Sequence, residues 1–151
     1  MAKSISRKEF IRLIGSSAVA VVALSQLGCQ KADTIPLTDF YIDLSNGSVN
    51  DNNGHYSTIP DFTNLYLTGG FVYVNGIIVF KGLDQQFYAL SQYCTHQGCN
   101  VEYEVAYNEI VCPCHQSHFD IYGNVTMGPA YYPLYQYAVS QNGSILHIYT
   151  P

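Results

Sequence analysis

Two short segments hold most of the residues that could do redox or metal chemistry: Cys94-Thr95-His96-Gln97-Gly98-Cys99 and Cys112-Pro113-Cys114-His115-Gln116-Ser117-His118-Phe119-Asp120. Each offers a thiol and an imidazole at fixed spacing, Cys-x-His in the first and Cys-x-x-His in the second. Two thiolates and two imidazoles suit two kinds of centre. One is a single tetrahedral zinc ion in a structural module. The other is a 2Fe-2S cluster. In its oxidised form four thiolates would leave the cluster site doubly negative, whereas two thiolates and two neutral imidazoles leave it neutral. A neutral site accepts an electron more easily, so such clusters span roughly −150 to +300 mV, against about −400 mV for plant-type ferredoxins held by four cysteines. Reduction then makes the site negative, so electron and proton uptake can be linked. Zinc leaves the other two cysteines of the segments without a role.

The ligand pattern, together with Thr95, Gly98, Pro113, Ser117 and Asp120, resembles the Rieske family, over about residues 70 to 150. The resemblance implies one 2Fe-2S cluster per chain, with Cys94 and Cys112 on the inner iron and His96 and His115 on the outer iron nearer solvent. It also implies a disulfide between Cys99 and Cys114, as in the branch of cytochrome bc complexes and arsenite oxidase small subunits. The Rieske ferredoxins of ring-hydroxylating oxygenases usually lack that pair. Ser117 matches the family serine that donates to a bridging sulfide, and Phe119 stands where high-potential members carry a tyrosine that donates to a cysteine sulfur. Loss of that donor implies a potential below the quinol-oxidising members and above the oxygenase ferredoxins. Gly128-Pro129-Ala130 resembles the family's proline loop, with Tyr131 in place of the usual second proline. Gln97 stands where quinol-oxidising relatives present an apolar residue, which makes direct quinol oxidation the weaker expectation. His118 is expected at the surface rather than as a ligand, and His55 and His147 show no partner pattern.

These loops need a rigid frame, and the composition points to an all-β one, a Rieske-like fold of small antiparallel sheets with the cluster held by two loops. Charged residues make up 11% of the 151-residue chain, while 14 Tyr and 7 Phe alternate with short Gly, Asn and Ser clusters. Phe40, Ile42 and Leu44 alternate as one strand face, and Asn46 to Gly54 reads as a polar loop. Phe71 to Val74, Asn75-Gly76 and Ile77 to Phe80 spell a hairpin with a type I′ turn. Phe87 to Gln92 reads as a strand leading into Cys94. Val101, Tyr103 and Val105 with Ile110-Val111 read as a hairpin turning at Asn108 and joining the two segments. Phe119 to Tyr122 and Val125 flank a turn at Gly123-Asn124. A last hairpin is expected from Tyr135 to Val139 and Ile145 to Tyr149 around Asn142-Gly143.

The chain's start reads as an address. Residues 1–29 have the layout of an export signal: Arg7, Lys8 and Arg12, then the apolar run Leu13 to Leu27, then Gly28-Cys29. It resembles a twin-arginine signal with Lys8 in the second arginine's place, and Gly28-Cys29 resembles a lipobox that would acylate Cys29. An uncleaved anchor is the alternative, although the apolar run falls short of the ~20 residues that span a bilayer core. Residues 30–36 read as a linker and 37–151 as the cluster domain. From Cys29 onward two basic residues face ten acidic ones, a formal balance of −8. Nucleic acid is excluded as a partner, because phosphate binding needs clustered cations. No Ser-His-Asp or paired-carboxylate arrangement suggests an independent catalytic site. The expectation is an extracytoplasmic, lipid-anchored one-electron carrier or electron-transfer subunit, whose partners are a c-type cytochrome or a membrane oxidoreductase. The alternatives are an oxygenase ferredoxin and a zinc module.

Overall fold

The computed structural model describes residues 37–151; the expected export signal with Cys29 and the linker at 30–36 lie outside the described residues. The described residues form twelve strands: β1 (Asp39–Asp43), β2 (Ser48–Asp51), β3 (Tyr56–Thr58), β4 (Phe71–Val74), β5 (Ile77–Lys81), β6 (Phe87–Ser91), β7 (Glu102–Glu104), β8 (Glu109–Cys112), β9 (Ser117–Phe119), β10 (Val125–Met127), β11 (Gln136–Asn142) and β12 (Ile145–Tyr149). A short 3-10 helix spans Phe62–Tyr66. Eight strands make one antiparallel sheet in the order β3-β2-β1-β12-β11-β6-β5-β4, and four make a second in the order β10-β9-β8-β7. The fold is all-β, as the composition predicts, and among the described residues no helix is long and apolar enough to cross a membrane.

Strand β5 explains how the two sheets hold together. Ile77, Ile78, Val79 and Phe80 are all buried, and an unbroken apolar run of this length suits a strand covered on both faces. Ile77 and Val79 enter one core with Phe40, Ile42, Leu146 and Ile148. Ile78 and Phe80 enter the other with Leu90, Ile110, Phe119, Cys94 and Cys112. The cysteines thus belong to a packed interior that backs onto the large sheet.

The hairpin turn at Asn75-Gly76 has φ of 51° and 80°, the two positive values a type I′ turn requires. Elsewhere the boundaries differ from the sequence reading. The polar stretch from Asn46 to Gly54 contains β2, which pairs with β1 from Phe40↔Asp51 to Asp43↔Ser48. Its polar residues sit on an outer face while Val49 enters the core. The strand expected over Phe119 to Tyr122 ends at Phe119, because the Asp120 carboxylate accepts the backbone N–H of both Tyr122 and Asn124 at 2.9 Å and turns the chain. In the last hairpin β11 runs through Asn142, so the turn falls one residue later, at Gly143-Ser144. His147, without an apparent partner in the sequence, stacks between Tyr41 (4.4 Å) and Tyr149 (4.6 Å) and lies 2.7 Å from Asp39 Oδ1.

Gly123 is a turn position closed by backbone. Its φ is +88°, and a Cβ there would lie 2.7 Å from the carbonyl oxygen of Leu134, whose N–H donates to the Gly123 carbonyl. Gly123→Ala is expected to destabilise the domain by about 1–3 kcal/mol, read as a lower urea midpoint with an unchanged slope.

Candidate metal centre

Each cysteine and histidine segment is a loop whose ends are pinned by sheet. The first leaves β6 and closes on itself: Val101 N donates to Gln92 O, Cys94 N to Cys99 O and Gly98 N to Cys94 O, at 2.8–2.9 Å. The second connects β8 to β9, where Cys112 is paired with Ser117. Period-two alternation turns Ile110 and Cys112 inward from β8, and Ser117 and Phe119 inward from β9. Pro113, Cys114, His115 and Gln116 are left exposed in the turn between them.

A third loop is stitched to both. The Thr95 hydroxyl donates to Tyr132 O at 2.6 Å, and the Ala130 N–H donates to Ser117 Oγ at 3.0 Å. This is the segment with Gly128-Pro129, so the expected proline loop does reach the two cysteine and histidine loops. Ser117 is completely buried. Its oxygen accepts from Ala130, and its hydroxyl still carries a proton to donate.

The structure forms the Cys99–Cys114 disulfide, with Cα atoms 6.5 Å apart, and leaves Cys94 and Cys112 as buried thiols in contact with each other. Burial pushes the Cys112 thiol up. The backbone N–H of Cys114, donating to its sulfur, acts in the opposite direction, the Cys94 thiol adds to the rise, and the His115 N–H again lowers it. Two amides aimed at one sulfur suit a thiolate bound to metal and an extra negative charge beyond it. The rings of His96 and His115 meet edge to face, with centroids 4.9 Å apart and planes at 90°. His96 Nδ1 is buried and has no hydrogen-bond partner. A buried nitrogen without a partner is costly unless something absent from the polypeptide satisfies it, and a metal atom does so.

The donor geometry bears on which metal group fits. Around one tetrahedral zinc, with bonds of roughly 2.0–2.3 Å, all four donor atoms lie within about 4 Å of one another. Among the described residues, the metal-ligating types with three donor atoms mutually within 4.8 Å are Cys99, Cys112 and Cys114. Two of those are spent in the disulfide, so that trio is no ion site. No three donor atoms of Cys94, His96, Cys112 and His115 come mutually within 4.8 Å, so these side chains are not gathered around one point as a single zinc ion requires.

Other residues take up places that motif matching misses. His118 Nδ1 lies 2.9 Å from Glu109 Oε2 on the outer face of the small sheet, which accounts for it without a metal. The tether from Thr95 to Tyr132 had no signal in the sequence beyond the hydroxyl itself. Phe119, Leu134 and Ala130 close the core behind the thiols.

Residues 45–138 match the family described as Rieske [2Fe-2S] domain. The chain is similar to the cytochrome b6-f complex iron-sulfur subunit of Prochlorococcus marinus (strain AS9601), 29% identical over 140 residues that cover 84% of this chain and 75% of the relative. Among solved structures it resembles the cyanobacterial plasma membrane Rieske protein PetC3 from Synechocystis PCC 6803, at 33% identity and a TM-score of 0.48, covering 52% of this chain and 85% of that one. It also resembles the ferredoxin of carbazole 1,9a-dioxygenase from Nocardioides aromaticivorans IC177, at 26% identity and a TM-score of 0.48, covering 56% and 88%.

Proposed function

The chain belongs to the Rieske [2Fe-2S] domain family, and from that premise we propose that Cys94, His96, Cys112 and His115 hold its 2Fe-2S cluster in an exported one-electron carrier or an electron-transfer subunit of a membrane or periplasmic oxidoreductase. The observation that carries the ligand assignment is the buried, unpartnered Nδ1 of His96 beside His115, on the same two loops as the two buried free thiols. When bound, the cluster supplies one-electron acceptance and donation. The polypeptide does the rest. The Cys114 and His115 amides hold negative charge at Cys112, Ser117 offers a buried hydroxyl proton while its oxygen accepts from Ala130, and the disulfide keeps the two loops from parting. The exposed ring of His115 gives the site its way out to a partner.

The disulfide favours the branch of cytochrome bc complexes and arsenite oxidase small subunits over an oxygenase ferredoxin, and so does the reading of residues 1–29 as an export signal. Partners are a c-type cytochrome or a membrane oxidoreductase. Lys81 is the one basic residue between 37 and 151, so an electropositive partner suits the surface, with an encounter rate that falls as salt is added. Attachment through a lipid on Cys29 is the matching proposal for location, and the mass of the mature N-terminus tests it.

A spectroelectrochemical titration tests the carrier reading. It is expected to show two irons per chain and a single one-electron wave between roughly −150 and +300 mV; one zinc per chain with no wave would contradict it. Phe119 sets where in that range the wave falls. It is completely buried, on the strand that carries Ser117. Phe119→Tyr is expected to raise the midpoint, because a new donor to a cysteine sulfur binds the reduced state more strongly. Each ~1 kcal/mol of such preference is worth about 40 mV for one electron. Protein-film voltammetry showing an unchanged or lower midpoint would count against it.

A further inference from the structure

The disulfide and the ligand beside it make a pair that the family assignment does not use. The sulfurs of Cys99, Cys112 and Cys114 all lie within 4.8 Å of one another. Cys99 and Cys114 are bonded, and Cys112 is a free thiol. A thiol this close to a disulfide is placed at its target and needs only to lose its proton, which burial slows, since exchange proceeds by attack of a thiolate on a disulfide sulfur with expulsion of the third sulfur.

We propose that Cys112 and the Cys99–Cys114 disulfide form an internal exchange couple that metal binding at Cys112 holds inactive. When Cys112 is not bonded to iron, its sulfur attacks Cys99. One S–S bond forms between Cys99 and Cys112, and one breaks between Cys99 and Cys114. The Cys112 proton passes to solvent, and Cys114 takes one up as it becomes a thiol. No oxidant or reductant is consumed. Cys99 is the target for two reasons. It packs with Cys112 against the same core, while Cys114 is exposed and departs as a hydrated thiolate. A bridge from Cys112 to Cys114 would instead have to close over Pro113, whose φ is fixed by its ring.

The product has lost one of its four ligands to a disulfide. Loss of the cluster then also costs a ligand, and reloading has to wait for the reverse exchange, in which Cys114 attacks Cys99 and frees Cys112, a step that an added thiol speeds. The same chemistry sets an order of assembly. Assembly is fastest when the cluster is in place before the disulfide forms, because Cys112 is then never drawn into a bridge.

This rests on Cys112 being a cluster ligand. The test starts from the holoprotein, whose cluster is removed anaerobically with a chelator. Free thiols are then alkylated with iodoacetamide, and the bridges are mapped by tandem mass spectrometry. The expected result is alkylation at Cys94 and Cys114 with a bridge between Cys99 and Cys112. Holoprotein denatured directly in acid alkylating medium gives Cys94 and Cys112 alkylated and the original bridge. Cys94→Ser, which has no full ligand set but keeps Cys112, is expected to be isolated with the exchanged bridge, and Cys112→Ser with the original one. Iron and sulfide alone are expected to restore cluster absorbance to the stripped protein slowly, and added dithiothreitol to speed its return. The original bridge persisting after cluster removal, or a bridge between Cys94 and Cys112, overturns the exchange. A holoprotein without any histidine-ligated cluster signal overturns instead the ligand assignment beneath it.

Discussion

Cys112→Ser is expected to yield a folded chain without a cluster: no visible charge-transfer absorbance, no bound sulfide and iron near zero. Cys112 is 1% exposed, in contact with Cys94 and with the amides of Cys114 and His115 at its sulfur. A serine hydroxyl in that position is a poor iron ligand, because it has to lose a far less acidic proton than a thiol, and the soft sulfur that suits such clusters is gone. The core under the large sheet survives, because it closes around Phe40, Ile42, Leu146 and Ile148 without any help from the loops. His115→Gln is expected to lose the cluster as well. His118→Gln is the contrasting case, since its ring is engaged by Glu109 on the sheet's outer face, and it is expected to keep two irons per chain. Iron and acid-labile sulfide assays on the three variants check the set. A full complement of iron in Cys112→Ser would move the ligand elsewhere.

The second large effect is expected from Cys99→Ser with Cys114→Ser. The bridge joins residues 15 apart in sequence, and it is the covalent link between the two loops. A loop of that length corresponds to about 3 kcal/mol of chain entropy removed from the unfolded state. Cluster binding is coupled to the same loops, so the loss of stability appears twice: as a lower thermal midpoint of the domain, and as faster bleaching of the holoprotein in chelator. The hydrogen bonds from Thr95 to Tyr132 and from Ala130 to Ser117 still hold the loops to the third segment, so the cluster is expected to assemble but to last less long. Thermal unfolding followed at the cluster's visible band and by far-UV circular dichroism separates the two. Unchanged midpoints by both would show that the loops are held by the sheet alone.

The two cysteine and histidine loops were legible because their signals are local: the Cys-x-His and Cys-x-x-His spacings and the Asn75-Gly76 turn each depend on a handful of neighbouring residues. What escaped was decided by distant partners. β2 lies in a stretch of Ser, Asn and Asp that reads as loop, and it is a strand because β1 offers its edge and Val49 reaches the core. The end of β9 at Phe119 was set by one carboxylate, Asp120, capturing two amides ahead of it. His147 found Asp39, 108 residues away, only because β1 and β12 pair with Tyr41 opposite it. Within the site, the residue types and the disulfide followed from family resemblance, and the disulfide is formed in the structure. The stitching of the third loop to the other two did not follow from the sequence, because its partners are a backbone carbonyl and a backbone amide, which leave no mark on residue type.

The most direct test of the ligand set is pulsed electron paramagnetic resonance on the dithionite-reduced protein, recorded for nitrogen couplings. Antiferromagnetic coupling of one ferric and one ferrous ion gives a single half-integer spin. With His96 and His115 on the iron that takes the electron, one such spin per chain is expected, strongly coupled to two nitrogens, with an average g value below that of all-cysteine clusters. A silent spectrum with one zinc per chain, or a 2Fe-2S signal without directly bonded nitrogen, would contradict it.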